Sequence, residues 1–254
     1  MAVGMFALLP AAAMAATDEL NIAAASDLNF AFKELVGAFE RQTGTHVKLS
    51  MGSSGNFFAQ IQNGAPYDLY FSADIRYPQQ LMEKGHAQPG SLYRYAVGRI
   101  VLWVSTRMPA DLGKGMEVLL DPAVRKVAIA NPKHAPYGRA AVAAMEHFKI
   151  YERAKDKLVY GENIAQAAQF VQSGAADAGI IALSLALAPT MKEQGRFWEV
   201  PRDAYPALEQ GAVIVKGASN QVAAHAFLSF LQSPAGQDVM QRYGFAVPPS
   251  GAAQ

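Results

Sequence analysis

Leu20-Asn21-Ile22-Ala23-Ala24-Ala25-Ser26-Asp27-Leu28-Asn29-Phe30-Ala31-Phe32 decides the fold. Residues 20–24 read as a strand; Leu28, Phe32, Leu35 and Phe39 then recur at helical spacing until Thr43-Gly44 stops the pattern. A strand that passes through Ser26 directly into an amphipathic helix is the start of a βα repeat. The same device returns at Gly52-Ser53-Ser54-Gly55-Asn56, at Asn131-Pro132-Lys133-His134-Ala135-Pro136-Tyr137-Gly138 and at Gly161-Glu162-Asn163-Ile164. The first N–H groups of a helix have no acceptor within it and carry partial positive charge. Several such starts converging on one cleft make an anion cage that needs no Lys or Arg. That pattern points to binding and not to catalysis.

Working outward, residues 46–50 and 68–72 read as further strands, with a helix marked by Phe57, Phe58 and Ile61 between them and ended by Gly64 and Pro66. The apolar run 96–105 is longer than an ordinary strand and is expected to carry the chain into a second lobe. There, strands at 127–130, 157–160 and 179–183 alternate with helices over 138–149 and 164–173. Residues 211–215 carry the chain back, and helices over 221–231 and from Ser233-Pro234 onward complete the first lobe. The alternation predicts an α/β protein of two lobes joined by two crossovers, with lobe I at 16–98 and 210–254 and lobe II at 99–209. The cleft between them faces the carboxyl ends of both sheets, where open α/β sheets place ligands.

Composition fits this plan. With 254 residues, of which 51% are apolar and 17% charged, the chain can bury one large core or two modest ones. A net charge of +1 supplies no long-range field, so nucleic acid and membrane surfaces are not expected partners. Residues 1–15 form an apolar stretch ending in Ala13-Met14-Ala15, which reads as a signal peptide without its basic n-region and predicts export. Zero cysteines exclude disulfides, a disulfide-linked partner, thiolate metal sites and a lipoprotein anchor in this reading frame. The five histidines show no metal-ligand spacing, so neither a metal centre nor another cofactor is expected.

At the joints, the hydroxyls of Ser26 and Ser54 either cap their own helices or face an oxyanion together with the local N–H groups. Gly52 and Gly55 favour close approach of a ligand to the backbone. Tyr137 lies in a first helical turn behind Pro136, with a free N–H and a phenol that either packs or donates. Ile164 offers only its N–H. Asp27 is awkward beside an anion; it is expected to cap its own helix and point away, and Asn56 and Asn163 are expected caps. His134 reads as a solvated loop residue. No G-x-S-x-G, P-loop, G-x-G-x-x-G or S-x-x-K pattern appears, so the chain is not expected to be an enzyme.

Taken together, Ala-Ala-Ala-Ser26-Asp-Leu, Gly-Ser-Ser54-Gly-Asn-Phe-Phe-Ala-Gln, Gly64-Ala-Pro-Tyr-Asp-Leu-Tyr-Phe-Ser-Ala-Asp74, Ala130-Asn-Pro-Lys-His-Ala-Pro-Tyr137-Gly, Gly161-Glu-Asn-Ile164 and Arg242-Tyr-Gly-Phe245 are similar to the periplasmic molybdate-binding proteins of ABC importers. The resemblance spans nearly all of the mature chain. It implies a type II periplasmic-binding fold that captures molybdate or tungstate and delivers it to a membrane permease. The oxyanion ligands it implies are Ser26 and Ser54 through hydroxyl and N–H, and Tyr137 and Ile164 chiefly through N–H. Molybdenum enters only inside the oxyanion, with oxygen between it and the protein. Where some members supply a tyrosine hydroxyl, this chain has Ala182; Tyr137, Asp27 or Asn29 is the expected replacement.

A cage of neutral donors implies an affinity nearly independent of pH. It rejects hydrogen phosphate for want of an acceptor and sulfate on size. A monomeric periplasmic receptor is the expectation. The alternatives are a sulfate or phosphate receptor on the same fold, or a cleft enzyme with His134 and Asp27 as acid and base.

Overall fold

The computed structural model describes residues 19–247, so the expected leader at 1–15 and the Pro248-Pro249-Ser250-Gly251 tail lie outside the described residues. Two five-stranded sheets carry the fold. The first contains β1 (Glu19–Ala25), β2 (His46–Gly52), β3 (Leu69–Ser72), β4 (Tyr93–Gly98) and β10 (Leu208–Ile214), in the order β2-β1-β3-β10-β4. The second contains β5 (Ile100–Ser105), β6 (Val127–Ala130), β7 (Leu158–Gly161), β8 (Ala178–Ala182) and β9 (Gly195–Glu199), in the order β7-β6-β8-β5-β9. This is the two-lobed α/β architecture of periplasmic-binding proteins.

In each sheet three strands are parallel and two are antiparallel to their neighbours. Strand β1 pairs in parallel with β2 and β3, as β6 does with β7 and β8. Helical crossovers impose this: α1 (Asn29–Thr43) and α2 (Ser54–Gln62) return the chain in the first sheet, as α4 (Pro136–His147) and α6 (Ile164–Gln172) do in the second. Strand β10 runs antiparallel to β3 and β4, and β5 antiparallel to β8 and β9. Both β5 and β10 enter their sheets from the end where the parallel strands finish. All four strand-to-helix joints therefore open toward the crossovers.

The apolar run at 96–105 is two strands in different sheets, separated by Arg99. The break is steric. A Cβ on Gly98 would collide with the Tyr137 hydroxyl and with Gln210 Nε2, and the Arg99 guanidinium turns aside to the Gly244 carbonyl and to Glu199. Elements beyond the sequence reading are α3 (Arg76–Glu83), α5 (Tyr151–Ala154), α7 (Leu183–Ala186), α8 (Pro189–Gln194), β9 and a 3-10 segment over Leu112–Leu120. The closing helices are α9 (Gln221–Gln232) and α10 (Pro234–Arg242).

Helix α1 shows how local signals become packing. Phe32, Leu35 and Phe39 are buried at helical spacing, and Gly44 ends the helix at φ 74°, its N–H reaching Glu40 O at 2.9 Å. Phe32 meets Phe71 of β3 edge to face with ring centres 4.8 Å apart, and Phe39 meets Phe227 of α9 at 5.1 Å. The C-terminal helices thus close one face of the first sheet. The second sheet has its own core around Val101, Trp103, Ile129 and Ile180.

Candidate oxyanion site

The four joints meet. Ser26 opens a 3-10 turn, Ser26–Leu28, ahead of α1, and its hydroxyl makes no cap to its own helix. It crosses to the other lobe, donating to Asn163 Oδ1 at 3.1 Å and accepting the Ala165 N–H at 3.2 Å. Asn163 is the N-cap of α6, as expected, with Oδ1 accepting Gln166 N–H at 3.0 Å. The first joint therefore helps cap the helix that opens from the fourth. By helix geometry the Ile164 N–H, the first of α6, has no acceptor within its own helix.

The second joint faces the third. Gly55 N–H donates to the His134 carbonyl at 2.9 Å, and Ser53 Oγ lies 2.9 Å from His134 Nδ1. Asn56 lies inside α2 and is not its cap. Its amide donates to Glu162 Oε1 at 2.6 Å, which links the second joint to the fourth. His134 is a half-buried contact between lobes and not a solvated loop residue, because the Gly55 backbone approaches close enough to cover it.

Ser54 is buried at the head of α2. Its Oγ accepts the Ala73 N–H at 3.0 Å, which leaves the hydroxyl proton to be given away. Tyr70 OH fixes the Ser54 carbonyl at 2.7 Å. In Ser26 the proton is already given to Asn163. The two serines, alike in sequence, thus have different roles in the closed structure.

Asp27 overturns its expectation. Instead of capping α1 and pointing away, it is 1% exposed, and Oδ2 accepts from Tyr137 OH at 2.9 Å and from Gln210 Nε2 at 2.6 Å. Burial pushes the carboxyl up to about 6, against the lowering effect of those two hydrogen bonds. The Tyr137 phenol is therefore engaged by Asp27, and desolvation with the nearby carboxylate holds its pKa well above the ordinary tyrosine value. Asn29 is half-buried and lines a groove of about 430 Å³ beside α6, with Phe30, Gln166 and Gln169. Ala182 ends β8 and is fully buried; two residues on, Ser184 Oγ donates to the Asp27 carbonyl at 2.7 Å.

Sequence reasoning missed Gln210 and the cluster around Asp74. Gln210 is fully buried in β10, and a polar side chain entering an apolar strand was its only signal. Asp74 accepts Arg76 Nη2 at 2.6 Å and, across the lobes, Arg139 Nη2 at 2.8 Å. Hydrogen bonds and charge from Arg76, helped by Arg139, outweigh partial burial and hold the Asp74 carboxyl below its ordinary value. Among the described residues no group of three or more His, Cys, Asp or Glu is placed to hold a metal ion, and no helix is long and apolar enough to cross a membrane.

Residues 20–246 match the family model described as bacterial extracellular solute-binding protein. The chain is 39% identical over 245 residues to the molybdate-binding protein ModA of Rhodobacter capsulatus, covering 96% of this chain and 93% of that one. It is also 39% identical over 240 residues to ModA of Azotobacter vinelandii, covering 94% of each. The solved Azotobacter vinelandii periplasmic molybdate-binding protein superposes with a TM-score of 0.84 at 35% identity, over 90% of this chain and 99% of that one. The sulfate-binding protein SubI of Mycobacterium tuberculosis shares the fold, with a TM-score of 0.70 at 16% identity.

Proposed function

The chain belongs to the family of bacterial extracellular solute-binding proteins, and from that premise we propose that it is a periplasmic receptor for molybdate, and for tungstate with it, that delivers the anion to the permease of an ABC importer. The likeness to two ModA proteins at 39% identity supports the choice of anion. One structural observation carries the reading: four helix starts from two sheets are in mutual hydrogen-bonded contact, with no Lys or Arg in those contacts. Of the described residues, lobe I is 19–98 and 208–247 and lobe II is 99–207, hinged at Gly98-Arg99 and just ahead of Leu208, because β10 begins two residues before the boundary read from the sequence. Ser26, Ser54, Tyr137 and Ile164 are the anion's ligands. The protein works as a monomer and turns nothing over.

Each hydrogen bond to an anion contributes about 1.5 to 3 kcal/mol, so five to eight donors outweigh desolvation and association costs by enough for submicromolar affinity, to order of magnitude. Size separates the tetrahedral anions, since sulfate is too small to reach every donor at once. The test is isothermal titration of the anion-stripped protein with molybdate, tungstate, sulfate and phosphate. Tight 1:1 heats with the first two alone are expected. Heats with sulfate or phosphate instead would keep the fold and replace the ligand, and turnover of a substrate in the cleft would sink the receptor reading.

Ser54 gives a sharper result than Ser26. Ser54→Ala is expected to raise the molybdate Kd by roughly five- to hundredfold, because the one serine proton not already committed is lost. An unchanged Kd would remove Ser54 from the site.

A further inference from the structure

Among the described residues, three buried side-chain oxygens have no hydrogen-bond partner, Gln88 Oε1, Gln210 Oε1 and Asp27 Oδ1, and of these only the last belongs to an acid. Asp27 Oδ2 accepts from two side chains, Tyr137 OH and Gln210 Nε2, and the backbone N–H groups of Asp27 and Leu28 also favour the carboxylate, while Oδ1 is buried and makes no hydrogen bond of good geometry. Its surroundings come from four elements: Tyr137 of α4, Tyr95 of β4, Gln210 of β10, and Ser184 of α7, which holds the Asp27 carbonyl. None of these is a cation. A dry carboxylate with half its acceptor capacity unmet is an expensive arrangement that one further proton donor would relieve.

Position adds the second half. Asp27 follows Ser26 in the first joint and is held by Tyr137 of the third, so it stands between two of the four segments proposed to enclose the anion. A tetrahedral dianion brought there would face the carboxylate across little water. Like charges in one desolvated site do not both stay ionised; they share a proton.

We propose that Asp27 contacts the bound anion through Oδ1, and that a single proton lies between Oδ1 and one oxygen of the anion. This deepens the oxyanion reading and rests on it. The proton comes from solvent as the lobes close, and no bond other than O–H is made or broken. Asp27 protonated and donating to a dianion, or ionised and accepting from a monoprotonated anion, describes the same stoichiometry. The contact stands in for the hydroxyl that Ala182 lacks. Burial holds the carboxyl up near 6 even with no anion present, so the proton is within reach close to neutral pH.

The experiment is calorimetric titration of the wild-type protein with molybdate in two buffers of different ionisation enthalpy, with Kd measured from pH 6 to 8.5 for the wild type and for Asp27→Asn. The wild type is expected to take up about one proton per anion at pH 7.5, and its Kd to rise about tenfold per pH unit. Asp27→Asn, whose amide donates without titrating, is expected to show no uptake at Asp27 and a flat profile. Zero uptake by the wild type, or the same pH dependence in both proteins, overturns the proposal. The proton count of the wild type decides the matter even where the variant folds poorly. Failure of the wild type to bind molybdate at any pH overturns the oxyanion reading itself, an outcome distinct from binding without a proton.

Discussion

Gly55→Val is expected to weaken anion binding on the order of a hundredfold while leaving the anion-free protein nearly as stable as the wild type. A Cβ at Gly55 would sit 2.7 Å from the His134 carbonyl oxygen and 3.0 Å from His134 Cα, both backbone positions of the opposite lobe. Backbone cannot swing aside as a side chain does, so the lobes must part. The Gly55 N–H bond to His134 O is then strained or lost. Overpacking a close-fitting contact costs about 1 to 3 kcal/mol, and the rigid partner places this one near the top of that range. Each 1.4 kcal/mol is a factor of ten in Kd. With the lobes open the position is free of His134, so the cost falls on closure and not on folding. Titration calorimetry measures the first term, and thermal melting of the anion-free variant the second. A normal Kd would mean that the closed contact between the second and third joints plays no part in binding.

This close approach also marks what could be read in advance. Residues 127–130 are bounded in the structure as the sequence reads them, because an apolar strand between a basic flank and Asn-Pro leaves no alternative register. Helix α1 was legible for the same kind of reason, since its apolar stripe, its length and its Gly44 stop agree. Local periodicity fails where the deciding contact is distant. Gly98 breaks the 96–105 run because Tyr137 and Gln210 press against it, and those partners are 39 and 112 residues further along. The roles of Ser26 and Ser54 diverge only through Asn163 and Ala73. Asp27 reads from sequence as an N-terminal cap; its burial comes from Tyr137 of the other lobe and from Gln210 of β10 in its own sheet, partners 110 and 183 residues away that no local window contains. The expectation of pH-independent affinity rested on neutral donors alone, and the proton proposed at the buried Asp27 carboxylate would replace it with a pH-dependent one.

The lobes therefore close through two kinds of contact. Gly55 with His134 and Ser26 with Ala165 join backbone to backbone or backbone to hydroxyl, and these are short and tolerate little displacement. Asp74 with Arg139 joins a largely buried carboxylate to a partly exposed guanidinium, where solvent reaches the cation and its long side chain follows small movements. Closure geometry is set by the first kind. The second adds a cross-lobe attraction that added salt weakens.

Asp68→Ala is expected to be the most damaging polar substitution in the first lobe, lowering its stability by about 3 to 5 kcal/mol. Asp68 immediately precedes β3 and is 1% exposed, in a stretch that reads from sequence only as strand. Its Oδ2 accepts the Asn21 N–H at 2.7 Å, while Oδ1 accepts the Ser219 N–H at 2.6 Å, the Ser219 hydroxyl at 2.9 Å and the Asn220 N–H at 3.2 Å. One carboxylate thus ties the first strand of the chain to the turn that launches α9, whose N-cap is Asn220. The Asp68 backbone adds to the same junction: its N–H reaches Asn21 O at 2.8 Å and its carbonyl accepts Val215 N–H at 2.9 Å. Truncation removes four charge-assisted hydrogen bonds and leaves their donors without an acceptor. The loss exceeds that of an exposed ion pair because each bond joins a buried charge to a fixed partner. For a chain of this size the midpoint of thermal unfolding should fall on the order of 10 °C. Asp68→Asn should fall between the two, since the amide keeps one acceptor oxygen and turns an NH2 toward groups that are themselves donors. Below the unfolding transition the anion affinity of both variants should stay close to wild type, because the junction lies at the opposite end of β1 from Ser26. A midpoint within 2 °C of wild type for Asp68→Ala, about what one surface hydrogen bond would move, would mean that water replaces the carboxylate and that α9 is held by its apolar face alone.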